Sequence, residues 1–178
     1  MDPVFLLDVK EWEKFIKPNN RHGKYIAVLS YERNEKIAEV LTEVKRKTGY
    51  KIIEIGNIGK KYSEIADKFY RNVDVEDILS FIHNAEIVVT SSFHAVAFSL
   101  IFNKSFIPIM PKIAPSRITS ILKVGGLETR AVYHNDRIDP EILMEPIEWE
   151  PVNQKIKDKT ESSKQWLNNA LKECEKDL

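Results

Sequence analysis

The 178-residue chain has one cysteine, Cys174, close to its charged C-terminus. A single thiol builds neither a disulfide framework nor a thiolate metal cluster, and a reducing, intracellular location fits best. Glycine is sparse, with six residues, and none of them forms the Gly-rich fingerprint of a dinucleotide site. Neither sign of charge is in excess, because 27 basic residues balance 27 acidic ones. No global field therefore draws the chain to nucleic acid or to an anionic membrane, and any anion it binds must be held by a local site. Long apolar runs are missing too. The most apolar region, Ile87 to Pro111, is interrupted by His94, Asn103, Lys104 and Pro108, and its unbroken runs fall far below the roughly 20 residues of a membrane span. The start of the chain lacks the pattern of a secretory signal, since Asp2 and Asp8 flank its one apolar run. No spacing of His, Asp and Glu suggests a metal site, and no cofactor is expected.

What is present is 43% hydrophobic residues, enough for one domain with a sizeable core. From Tyr25 onward, short β-branched runs alternate with amphipathic stretches. Tyr25 to Leu29, Lys51 to Ile55, Ile87 to Thr90 and Phe106 to Met110 read as strands. Glu35 to Thr48 reads as a helix stopped by Gly49, followed after the second strand by a loop carrying Gly56 and Gly59. Val75 to Asn84 reads as a helix capped by Asp74 with Asp77 three residues on, its apolar face formed by Val75, Ile78, Leu79 and Ile82. Ser92 to Phe102 is a further helix, and Ser116 is placed to cap the helix that ends at Gly125 and Gly126. Strands separated by helices of this length imply right-handed crossovers and a mostly parallel sheet covered on both faces. The fold class is α/β, Rossmann-like.

Residues 1–178 read as a single domain. Within it, 152–178 form a long helix with one apolar stripe of Val152, Ile156, Trp166, Leu167, Ala170, Leu171 and Cys174. That stripe suits docking against the outer layer of the sheet, or in part against a partner domain. Residues 1–22 place an apolar segment ahead of the first strand and read as a crossing from a preceding domain.

In an open parallel sheet, ligands bind beyond the C-terminal ends of the strands, where strand order reverses. Thr90, Ser91, Ser92, Phe93 and His94 stand at one such end and form the first turn of the next helix. The free N–H groups and dipole of that turn suit phosphate or carboxylate, and serine hydroxyls add donors. Residues Ala95 to Phe102 are apolar around nearly the whole circumference, so the helix is buried and His94 is confined to its mouth. The dipole there disfavours imidazolium and a bound dianion favours it, an arrangement suited to a general acid that charges only with substrate present. The alternative is that His94 bonds a backbone carbonyl and the serines only cap the helix. Arg117 is the next cation of interest, at a helix start after the loop PKIAPSR, where a guanidinium fork suits an anion and a surface ion pair is the other reading. Arg71 and Arg130 fall in loops, where arginines are usually solvated, and His22, His83 and His134 read as structural.

The stretch TSSFHAVAFSLIFNKSF, Thr90 to Phe106, resembles the C-terminal half of the polysaccharide pyruvyl transferase family. Members of that family carry a strand followed by T-[DS]-S-F-H-G-x-x-F-S-x-x-F-x-K-P-F. Further similarity lies in Asp2 to Phe15, Phe81 to Thr90 and Ser116 to Arg130, so that the resemblance spans nearly the whole chain in order. Three positions depart: Ser91 stands where Asp is frequent, Ala95 where Gly is usual and Ser105 where Pro is usual. The resemblance implies one half of a two-domain protein of the glycosyltransferase-B type, about twice this length in full, with the N-terminal, acceptor-side domain missing. It implies transfer of an enolpyruvyl unit from phosphoenolpyruvate to two hydroxyls of a sugar, free or lipid-linked, leaving a cyclic pyruvate ketal. On that reading His94 is a general acid or a ligand to the donor's phosphate or carboxylate, with Ser91, Ser92, Phe93 and Arg117 binding substrate. Two other readings stay open. One is a nucleotide-sugar domain of a glycosyltransferase, with Glu54 or Glu32 on the ribose; the other is a non-catalytic stand-alone domain.

Overall fold

The computed structural model describes residues 1–18, 22–56, 61–62 and 64–176. Of the loop expected after the second strand, Gly56 is described and Gly59 lies outside the described residues. The chain opens with a 3-10 turn, Pro3–Leu6, and a short helix α1, Val9–Glu13. It continues through β1 (Tyr25–Leu29), α2 (Glu35–Thr48), β2 (Lys51–Ile55), β3 (Lys68–Tyr70), α3 (Val75–Asn84) and β4 (Ile87–Thr90). Then follow α4 (Phe93–Ile101), β5 (Ser105–Pro108), α5 (Ser116–Gly125), α6 (Pro140–Leu143) and α7 (Trp149–Lys176). The five strands form one all-parallel sheet in the order β3-β2-β1-β4-β5. The α/β, Rossmann-like reading holds.

Every residue of β1 and β4 is buried, as a sheet covered on both faces requires. Alternate residues of β1 serve two separate cores. Tyr25, Ala27 and Leu29 join the core under α3, α4 and α5, which also takes Phe5 from the first turn and Val152 from α7. Ile26 and Val28 join Ile37, Val40, Leu41 and Val44 of α2 on the opposite face. Helix α2 ends as its sequence indicates, with Gly49 at φ 68, a left-handed conformation that costs glycine no steric clash. Helix α3 carries the expected capping box, in which Asp74 takes the amide of Asp77 and Asp77 returns the bond.

Several expectations need correction. Ser116 does not cap α5; the N-cap position is Pro115, which has no side-chain acceptor, and Ser116 already has helical backbone. The fourth expected strand, Phe106 to Met110, runs Ser105–Pro108 instead; beyond it the Ile109 amide still reaches the Thr90 carbonyl at 2.8 Å, and Ile109 also bridges Val132. Val75 is exposed at the first position of α3 and does not share the buried face of Leu79 and Ile82. The strand β3 was not expected, being short and only half-buried at the sheet edge. The stripe on α7 divides: Val152 is buried and Ile156 partly so, whereas Trp166 is 71% and Leu171 55% exposed.

Two polar fastenings set the sheet's ends. Asp67 carries the first: its Oδ2 accepts the Ile52 amide at 2.8 Å and Lys45 Nζ at 2.9 Å, which fixes the start of β3 on β2. Burial opposes ionisation of Asp67, but these bonds outweigh it and hold the carboxyl below its ordinary range. The second is Thr90, fully buried, whose hydroxyl donates to the Leu29 carbonyl and accepts the Ser92 amide at 2.9 Å.

Because the Asp67 carboxyl is depressed, its stabilisation is complete above the ordinary value of 3.8 and is lost as the pH falls through the lower folded value. Urea unfolding of Asp67→Asn should therefore show a deficit at neutral pH that disappears in acid; a deficit constant with pH would show that the charge is not responsible. Thr90→Val keeps the shape but leaves a buried carbonyl and a buried amide short of one partner each. It should cost about 1–3 kcal/mol in the same measurement.

Candidate functional site

The strand order reverses between β1 and β4: the chain runs from β1 outward to β2 and β3, then returns to β4 and continues to β5. Such a switch point is where open α/β sheets bind ligands. Ser30 follows β1 and Ser91 follows β4, and their hydroxyl oxygens lie 2.9 Å apart. Ser30 Oγ donates to the Glu32 carbonyl at 2.7 Å, so the Ser91 hydroxyl is the donor of the pair. Both serines are buried.

Helix α4 starts at this point. Ser92 is its N-cap and accepts the Ala95 amide at 3.4 Å. The Ser91 and Ser92 hydroxyls are thus committed to the scaffold, at 8% and 2% exposure, and what the turn offers a ligand is the amides of Phe93 and His94. From Ala95 to Leu100 every residue is buried, and Ser99 returns its hydroxyl to the Ala95 carbonyl at 2.7 Å. The Ala95 methyl lies in the core and does not stand in a ligand's path. Ser105 is the first residue of β5, a place where proline is also accommodated.

His94 is exposed. Its ring meets that of Phe93, with centroids 5.3 Å apart at 72°, and it has no hydrogen-bond or ion-pair partner among the described residues. The alternative of a histidine spent on a backbone carbonyl is not what this structure contains.

Arg117 arrives from α5, and its guanidinium carbon lies 4.2 Å from the centre of the Phe93 ring. Phe93 therefore carries the cation to the mouth of α4. A long contact of 3.5 Å to the Asp2 carboxylate occupies one side of the guanidinium and leaves more than half of the side chain exposed. Beside them runs a mostly apolar groove of about 360 Å³, lined by Asp2, Phe93, Arg117, Ile121, Val124 and Lys159; His94 stands outside it. The approach to α5 is strained at Ala114, whose φ of 52 is left-handed without being glycine.

Sequence reasoning missed Ser30 and Lys61. Ser30 was available to the strand-end rule, applied to β1 as well as β4. Lys61 was not, because it follows a loop whose path no local pattern predicts. Its ammonium donates to the Ser30 carbonyl at 2.6 Å, while its amide and that of Tyr62 bind the two oxygens of the buried Glu54 at 2.7 and 3.1 Å. Both oxygens of Glu54 are thus engaged, which takes it out of the role of a ribose ligand.

Arg130 was expected to be solvated in a loop, and the structure corrects this: its side chain is engaged by backbone carbonyls. It donates to the Phe106 carbonyl and to those of Leu143 and Glu145, and burial lowers its pKa. His22 packs among Tyr25, Tyr70 and Phe81, and His83 against Phe102. Among the described residues no three His, Cys, Asp or Glu side chains converge on a metal position, and no helix is long and apolar enough to cross a membrane.

A comparison with curated proteins returns no match. The sequence model of the family described as polysaccharide pyruvyl transferase matches residues 1–112, which takes in β1 to β5 and the Ser91–His94 turn and stops short of Arg117. With that match over more than half of its length, the chain belongs to the polysaccharide pyruvyl transferase family.

Proposed function

We propose that this chain is the donor side of a pyruvyl transferase and that phosphoenolpyruvate binds at the first turn of α4. The observation that carries the reading is the convergence on that turn of an exposed, unpartnered His94 and of Arg117, brought over Phe93. A helix N-terminus and a guanidinium suit an anion with both a phosphate and a carboxylate. The buried length of α4 holds the turn rigid, and the Ser30–Ser91 and Ser92–Ala95 bonds fix its entry.

The reaction forms two C–O bonds from sugar hydroxyls to C2 of the enolpyruvyl unit and breaks the C2–O bond to phosphate. One hydroxyl proton's equivalent ends on the methylene carbon, which becomes a methyl group, and the other leaves with phosphate. His94 is the group placed to supply the proton or to bind the departing phosphate. The acceptor is a sugar of a cell-surface polysaccharide, free or lipid-linked, and the reaction belongs in the cytoplasm. The acceptor side is a second Rossmann-like domain facing this one, in the manner of glycosyltransferase-B enzymes. The bare stripe of Trp166, Leu167 and Leu171 on α7 supports such a partner, since an apolar helix face this exposed is seldom left in water.

Titration with phosphoenolpyruvate should shift the His94 imidazole resonances. Arg117→Met and His94→Ala should each weaken binding about 10- to 100-fold, the worth of a hydrogen bond to a charged group. An imidazole that does not respond, or tighter binding of a nucleoside diphosphate, would reject phosphoenolpyruvate as the ligand.

A further inference from the structure

We infer that Lys61 is a second cation of the donor site, reaching the anion from the side of the switch point opposite Arg117; this rests on the reading of the α4 turn as that site. The strand order places β2 on the far side of β1 from β4. From the segment after β2, Lys61 extends over the end of β1 to the Ser30 carbonyl, and the hydroxyl of the same Ser30 touches Ser91. A single residue therefore separates the ammonium from the turn that opens α4.

The placement of this cation is built. Glu54, 3% exposed at the end of β2, takes the amides of Lys61 and Tyr62 on its two carboxylate oxygens, so the backbone beneath the lysine cannot wander. An ordinary surface lysine has no such anchor.

The ammonium is also left incomplete. It has three donors, and one is used, by the Ser30 carbonyl; no carboxylate lies within ion-pair distance of it among the described residues. Glu54 from β2 and Glu32 from the turn after β1 face it at longer range, and burial outweighs both, lowering the lysine's pKa. A part-buried ammonium without a counterion is costly to hold unless an anion completes it. A ligand at the first turn of α4, beyond the closed Ser30–Ser91 pair, is one residue away from the lysine's remaining donors.

The test uses the whole chain, with its lysines labelled with carbon-13 at Cε by incorporation and the Lys61 signal assigned by its absence in Lys61→Met. Phosphoenolpyruvate should move that signal together with the His94 resonances. Lys61→Met should weaken binding about 10- to 100-fold, and Lys61→Arg should recover most of the loss. Lys61→Met retains both amides held by Glu54, so its fold should persist by circular dichroism; were it to unfold, the response of the wild-type Lys61 signal decides alone. A Lys61 signal that stays fixed while His94 responds, or wild-type affinity in folded Lys61→Met, overturns this assignment and leaves the donor site standing. If neither group responds, the donor reading falls and this inference with it.

Discussion

Two parallel strands must end side by side and then part, and the hydroxyl of Thr90 makes that possible. It joins the last carbonyl of β1 to the amide that opens the turn into α4, in a place closed to water. Without it, the separation of the strands would strand polar backbone atoms in the core. With it, the switch point is fixed. The serine pair adds a second tie just beyond, and Lys61 closes over the end of β1 from the other side.

The rest of the architecture holds this corner still. Helix α4 is enclosed by the sheet, α3 and α5, and its composition admits no polar residue to its flanks except Ser99, which is satisfied within the helix. Rigidity at the mouth follows from burial along the body. Arg117 is the complementary case, an exposed side chain whose position comes from stacking on Phe93 and not from enclosure. The proposed site thus joins a fixed element to an adjustable one.

The sheet was legible because each central strand is a short β-branched run and the helices between carry start or stop signals, as the Asp74 capping box and Gly49 illustrate. The edge strand β3 escaped, since three half-buried residues have no hydrophobic period to read. The turn at Ser91 to His94 was legible from its motif, but the duties of its hydroxyls were not. Whether a serine serves a ligand or the scaffold depends on Ser30, 61 residues away. The Arg117 stack on Phe93 and the Lys61 bridge to Ser30 are likewise long-range meetings, which local sequence does not encode. Ser116 misled because a serine before an apolar run looks like a cap even when proline already holds that position.

The two cores on either side of the sheet share only its backbone, since alternate residues of β1 face one or the other. All five strands point the same way, so the ends of β1, β2, β4 and β5 gather at one edge of the sheet, where Tyr62, Ile109 and Met110 still belong to the cores but Ser30, Ser91 and Lys61 do not. Those three polar residues are tied to one another and not to the packing of either core. A lineage can therefore alter the exposed side chains at the mouth, His94 and Arg117, while inheriting unchanged the interior that holds them, whereas a change at Ser91 has to be answered at Ser30.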